Sequence, residues 1–247
     1  MVKLKLQKGV QITIIIAVAV IALAIIGVIA FKPSSTSNTI QVNGQATAKV
    51  APDLISVYFN VNTKGSTSKA AEDANSEIVS KLTDNIVALG FKESDLTTEG
   101  YSIYPEYDYT NGQKLIGYIA THSLKIEVSS NQKDKVSSII DAGTNAGAGI
   151  SYINFELSPL LQQQAKTQAI KNASDDARIK AEAIASGFNK RLGRLVSVSL
   201  DEFNYYPWRI FEASTTGGAT EAKTAVAGIT PSDREVSAYV TAVYKLI

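Results

Sequence analysis

The chain has 247 residues, 45% hydrophobic and 19% charged, with no Cys, one His and one Trp. The missing thiols exclude disulfides, zinc–thiolate sites and sulfur redox chemistry, and a single His leaves room for one imidazole base but no His-rich metal site. The formal charge of +1 divides unevenly: Lys3, Lys5, Lys8 and Lys32 stand near the start without an acid among them, whereas the rest is mildly acidic. No basic stripe is gathered that could displace counterions from phosphates, so nucleic acid is not an expected partner.

Residues 10–31 form an uncharged apolar run, VQITIIIAVAVIALAIIGVIAF. As a helix it is long enough to cross a bilayer, because each residue adds about 1.5 Å and the hydrocarbon core is about 30 Å thick. The three lysines before it predict a cytoplasmic N-terminus, residues 1–9, and membrane lipid as a partner of residues 10–31. The alternative is a signal peptide cleaved near Val28-Ile29-Ala30, giving a secreted protein. The run exceeds the usual hydrophobic region of such peptides and favours an uncleaved anchor. Residues 32–38 then read as a short polar linker, and 39–247 as one domain outside the cytoplasm.

Within that domain, residues 39–50 and 53–63 are extended runs separated by Ala51-Pro52; they predict a hairpin or two neighbouring strands. Residues 66–89 change to a helical period, with Ala70, Ala74, Ile78, Leu82 and Ile86 as the apolar stripe and Gly90 as its stop. Strands at 95–108 and 113–129 flank Asn111-Gly112, a strong hairpin signal. A helix over 132–146, a strand over 150–157 and a long helix opened by Ser158-Pro159 follow. The long helix carries Ala165, Ala169, Ala173, Ala177, Ala181 and Ala185, a ridge of small side chains beside Ile170, Ile184 and Phe188. A strand at 192–203, an irregular stretch at 204–230 and a strand at 233–246 complete the chain. The order ββαββαβαββ predicts an α+β fold with mostly antiparallel sheets, and its two ββα units suggest a weak internal duplication.

Taken together, VNGQATAKVAPDLISV from Val42, VALGFKESDLTTEGYSIYPEY from Val87, GYIATHSLKIEV from Gly117, the alanine ladder before GFNKRLGRLVSV, and the closing REVSAYVTAVYKL resemble the SIMPL family, also known as DUF541. The resemblance spans residues 39–247, with Ala46 standing where the family often has glycine. It implies an α+β domain at the periplasm or cell surface. It also implies self-assembly, since one bacterial member forms a ring-like oligomer, or a part in oxidative-stress protection or signalling through protein contacts. It transfers no catalytic residue.

The candidate sites are few. His122 shares a predicted strand face with Tyr118, Ala120, Leu124 and Ile126, the position of a core residue rather than a catalyst lacking an identified orienting partner. Gly143, Gly147 and Gly149 precede a strand and fit a helix stop better than a phosphate loop. Two aromatic groups are candidate interface anchors: Tyr104, Tyr107 and Tyr109 near the hairpin tip, and Tyr205, Tyr206, Trp208 and Phe211 in the irregular stretch, for which core cover is the competing account. No catalytic, cofactor-binding or metal-ligating residue is expected, and no cofactor. The sequence therefore predicts a membrane-anchored, non-enzymatic protein acting through homo-oligomerisation or contact with a protein partner. Stress protection without thiol chemistry is one alternative, and a hydrolase centred on His122 is a second.

Overall fold

A computed structural model describes residues 38–110, 112–200, 205–213, 218–228 and 231–247, together with positions 17 and 21. Among the described residues no helix is long and apolar enough to cross a membrane. The predicted span at 10–31 and the linker at 32–38 lie almost wholly outside them.

Among the described residues from 38 onward, eight strands and four α-helices follow in the order β1 (Thr39–Val50), β2 (Leu54–Gly65), α1 (Ser68–Ala88), β3 (Leu96–Asp108), β4 (Lys114–Ser129), α2 (Asp134–Ala146), β5 (Gly149–Glu156), α3 (Pro159–Gly187), β6 (Leu192–Leu200), β7 (Trp208–Glu212), α4 (Ala219–Gly228) and β8 (Arg234–Leu246). The strands form two sheets, a three-stranded one ordered β1-β8-β6 and a five-stranded one ordered β3-β4-β2-β5-β7. Every pairing is antiparallel. The α+β expectation holds, and Ser158 caps α3 from its side chain with Pro159 in the first turn, as the sequence predicts.

The predicted β1–β2 hairpin does not form. β1 pairs with β8 along its whole length, Thr39 opposite Lys245 through Val50 opposite Arg234, while β2 lies between β4 and β5. The reason sits in the connector. Pro52 has no N–H to continue a ladder. Asp53 donates its N–H to the Glu156 carbonyl (3.2 Å) and accepts from Ser130 N (2.8 Å). Its carboxylate also accepts from Ser158 N at 2.6 Å. Asp53 thus holds the start of β2 against the ends of β4 and β5, and β1 is sent to the other sheet. With β1 and β2 parted, the two ββα units are not equivalent.

The second difference is residues 204–230. They contain β7, paired with β5 through Phe155–Trp208 and Ile153–Phe211, and α4, which buries Ala222 and Val226. Both elements are short. WRIFE lacks strict alternation, and the Gly-rich flanks around 217–218 mask the helical period.

The main core lies between the five-stranded sheet and α1, α2 and α4, around Ile55, Val57, Phe59, Leu82, Ile126, Ile139 and Phe155. The helix face of α1 is turned from the expected one at its start: Ala71 and Asn75 are buried there, whereas Ala70 is exposed. A smaller core joins α3 to β1 and β8. All six ladder alanines are buried, although Ile184 and Phe188, expected beside the ridge, are exposed. Closeness is bought by absent side chains on both partners. A Cβ placed on Gly44 of β1 would lie 2.0 Å from the Ala173 carbonyl oxygen and 2.7 Å from the Ala177 Cβ.

That contact sets the first test. Gly44→Ala should destabilise the fold by about 2 kcal/mol, the scale of overpacking a close interface. Gly100→Ala, where a Cβ meets nothing within 4 Å, should change stability by less than about 0.5 kcal/mol. Urea unfolding of the two variants separates the cases, and equal midpoints would refute the close-approach argument.

Candidate functional site

The most elaborate polar arrangement surrounds the single histidine. It begins with an extra residue in β3. Thr98 stands opposite Leu124 and Gly100 opposite Ser123, so Glu99 is bulged out of the ladder. In an uninterrupted strand, residues 98 and 101 point to opposite faces. The bulge instead places both Thr98 and Tyr101 on the face that carries Leu124 and His122.

Both then meet the imidazole. Thr98 Oγ1 lies 2.9 Å from His122 Nε2, and the Tyr101 ring approaches edge-on with centroids 5.1 Å apart. From the helix layer, α1 supplies Asn75, which is 1% exposed. Its Nδ2 donates to the carbonyls of Val61 (3.0 Å) and Ala120 (3.4 Å). That orientation leaves Oδ1 as an acceptor 3.3 Å from His122 Nδ1. The network therefore assigns the proton to Nδ1, and Nε2 keeps a lone pair that accepts the Thr98 hydroxyl. Burial under α1 pushes the His122 pKa below its ordinary value and favours this neutral form.

A groove of about 680 Å³ opens beside the ring, with Tyr101 and His122 on one side and Glu72, Ser76, Val79 and Asp84 of α1 on the other. Glu93, in the single-turn helix before β3, adds a third carboxylate, and among the described residues no Lys or Arg lines the groove. The groove can take neutral or cationic groups and repels anions. No group of three or more His, Asp and Glu capable of holding a metal occurs among the described residues.

His122 is thus on the predicted face, but it is half-buried at the wall of a groove rather than sealed in the core. Sequence reasoning missed both of its partners. Asn75 stands one position off the apolar stripe read from the sequence, and only the buried register of α1 brings it under the helix. Thr98 comes into reach through a bulge that strand alternation does not reveal. The helix-stop reading holds for Gly147, which ends α2 in the left-handed region, φ 98°; Gly143 instead lies inside α2, where it admits the Phe59 ring, 2.2 Å from where its Cβ would be, and Gly149 opens β5.

The aromatic candidates separate into three environments. Tyr104 and Tyr109 are exposed, and Tyr107 is half-buried with its ring 6.2 Å from that of Tyr109. They lie at the outer end of the β3–β4 hairpin. Pairing of β2 with β4 stops at Gly65–Tyr118, so residues 105–108 and 114–117 continue as a two-stranded arm that also exposes Leu115 and Ile116. Tyr206 is exposed too. Tyr205 instead accepts the Leu157 N–H at 2.8 Å through its hydroxyl. Trp208 and Phe211 are half-buried strand residues packed on the main core, Trp208 with its ring 5.9 Å from Phe155. Trp208 and Phe211 thus help cover the core while remaining partly exposed.

A further apolar surface was not anticipated. β6 exposes Leu195, Val196, Val198 and Leu200. Val198 and Leu200 stand opposite Ala242 and Val240, which α3 buries, so they lie on the helix-facing side of the sheet. The ridge of α3 seats on β1 and β8, leaving β6 uncovered as an edge strand.

The family profile described as "SIMPL: Protein of unknown function (DUF541)" matches residues 40–244. The chain belongs to the SIMPL family. Among curated relatives, the uncharacterized protein YggE of Escherichia coli K12 is 28% identical over 170 residues, 68% of each chain. YggE of Edwardsiella ictaluri is 27% identical over 188 residues, 73% of this chain and 76% of the relative. The 26 kDa periplasmic immunogenic protein of Brucella melitensis is 28% identical over 170 residues, 65% of each. The SIMPL-like motifs fall at structural junctions in this member: Gly44 under α3, Pro52-Asp53 at the crossing between sheets, and Leu89-Gly90-Phe91 at the end of α1.

The histidine network yields a pH test. The folded-state pKa of His122 lies below its unfolded value of 6.5. Between the two values the folded state binds fewer protons than the unfolded one. Its stability contribution is therefore complete above pH 6.5 and is lost as the pH falls below it. Urea unfolding across that range should show wild type losing stability on acidification relative to His122→Gln, with parallel behaviour at higher pH. Identical pH slopes would remove the buried neutral imidazole from the account.

Proposed function

We propose that this SIMPL protein is held in the membrane by residues 10–31 with its N-terminus in the cytoplasm, and that its outer domain acts by self-assembly and contact with other proteins. The apolar run with lysines ahead of it supports the anchor. The word periplasmic in the name of the Brucella relative supports an extracytoplasmic domain. The contact role requires no turnover.

The uncovered apolar face of β6 carries the reading. An edge strand presents unpaired N–H and C=O groups, and proteins that remain monomeric blunt such edges with charges, prolines or covering elements. Residues 195–200, LVSVSL, contain none of these charges or prolines. The hairpin arm provides a second exposed apolar surface on the other sheet. Two different surfaces favour head-to-tail association, which gives rings when the rotation closes and filaments when it does not.

Light scattering after size exclusion, on residues 33–247 and on the full chain in detergent, tests the assembly. A mass above one protomer is expected, falling to one protomer when Val198→Lys and Leu200→Lys are combined. A strict monomer at high concentration, with no partner captured by crosslinking in native membranes, would overturn the proposal. The anchor is tested separately by labelling intact cells, where a tag after residue 247 should be reached from outside.

A further inference from the structure

We propose that Thr98, His122 and Asn75 form an acyl-transfer site for uncharged or cationic carboxylic esters, an activity independent of the contact role and in addition to it. Thr98 is the nucleophile, His122 the base, and Asn75 a positioning residue. The arrangement has the geometry that hydroxyl activation requires: a hydroxyl at hydrogen-bond distance from an imidazole nitrogen that carries a lone pair, with the other ring nitrogen held by a fixed acceptor.

Structural roles alone account poorly for these three residues together. His122 and Asn75 occupy core-facing positions, among Ala120, Leu124 and Ile126 on β4 and Ala71 and Leu82 on α1, where apolar side chains would pack without needing partners. Thr98 is exposed and could satisfy its hydroxyl with water. Instead, two polar side chains taken from the core aim one imidazole lone pair at a solvent-accessible hydroxyl, and a bulge in β3 supplies the alignment. Departures from local packing rules that converge on one reactive atom mark functional sites.

In the reaction, Thr98 Oγ1 bonds to the acyl carbon while its proton passes to His122 Nε2, and the carbonyl electron pair moves onto oxygen. Collapse of the adduct breaks the bond to the leaving alcohol, which takes the proton back from Nε2, and the acyl group remains as an ester on Thr98. Water attacks that ester in the same way, its proton passing through Nε2, and releases the carboxylic acid with the threonine restored. Asn75 Oδ1 holds Nδ1–H throughout and keeps Nε2 aimed at the hydroxyl. Thr98 is outside the groove's lining, but His122 belongs to it, so a substrate reaching Thr98 extends into the groove past His122, where the carboxylates of Glu72, Asp84 and Glu93 disfavour an anionic group and the Tyr101 ring offers a face to a cationic one.

The test uses the full chain in detergent with p-nitrophenyl acetate as the probe, reading p-nitrophenolate release and mapping acetylated peptides by mass spectrometry. One acetyl group on Thr98 is expected. Thr98→Ser should retain the adduct and Thr98→Val, at an exposed position, should lose it with unchanged unfolding behaviour. His122→Gln should acetylate roughly a hundredfold more slowly, the usual scale for a general base.

Asn75→Asp separates positioning from packing. A carboxylate on Nδ1–H stabilises imidazolium, so the pH midpoint of acetylation should move upward. The titratable groups that share the groove with the ring (Glu72, Asp84, Glu93 and Tyr101, with Lys69 near Tyr101 and paired to Asp73) are unchanged in the comparison. Acetylation at other residues only, no acetylation, or an equal rate in His122→Gln would overturn the proposal. None of these outcomes bears on the oligomer mass that tests assembly.

Discussion

The contact between the alanine ridge of α3 and the glycine-bearing surface of β1 is the constraint on which the domain's organisation rests. β1 and β8 come from opposite ends of the domain, and their ladder must close a loop of nearly the whole chain. Loop closure of that length costs entropy that local contacts cannot offset. A helix able to lie directly on the strand backbones offers many small contacts at once. Larger side chains on either partner would hold the helix off and leave the β1-β8-β6 sheet without a packed face, marginal in water. The six buried alanines and Gly44 are therefore one device, split between two distant parts of the sequence.

The same device creates the molecule's exposed surface. A ridge made of alanines is narrow, and it covers two strands. β6, the third strand of that sheet, keeps its apolar face, so the feature that closes the fold also leaves an edge open. The five-stranded sheet solves its covering problem differently. Three helices share its inner face, and α4 helps cover the region of β5 and β7. Its opposite face is polar: Tyr58 stacks on Tyr152 at 4.1 Å and donates to Glu156 at 3.3 Å. Burial and the neighbouring carboxylate hold the Tyr58 pKa well above the ordinary tyrosine value.

What the sequence made legible follows the strength of its periodic signals. The ladder of α3, the stripe of α1 beyond Ile78, the Ser158-Pro159 start and the long strands are each set by many residues agreeing, and all are where the patterns place them. Partner choice among strands was not legible. β1 and β2 are adjacent extended runs, and they are separated by the bonds that Asp53 makes to Ser130, Glu156 and Ser158 and by the pairing of β1 with β8. Those partners are distant in sequence. β7 and α4 were hidden for another reason: five and ten residues are too few for a period to emerge beside Gly-rich flanks.

The histidine site shows a further limit of linear reading. His122 stood out by composition alone, and its strand face was correctly read from alternation. Its chemistry depends on two events that alternation and helical period do not reveal, namely one residue too many in β3 and one amide on the buried face of α1. Each would weaken the fold on its own, the bulge by breaking the ladder at Glu99 and the amide by placing a polar group under a helix. Together they compensate: the amide satisfies two strand carbonyls and a ring nitrogen, and the bulge returns a hydroxyl to the other nitrogen. A network completed in this way can persist in a hydrophobic layer: removing the amide or the imidazole leaves a buried partner with an unmet hydrogen bond, whereas water can replace the exposed Thr98 hydroxyl. The neutral imidazole is thus a product of the packing between helix and sheet, and its reactivity is coupled to the same contacts that stabilise the main core.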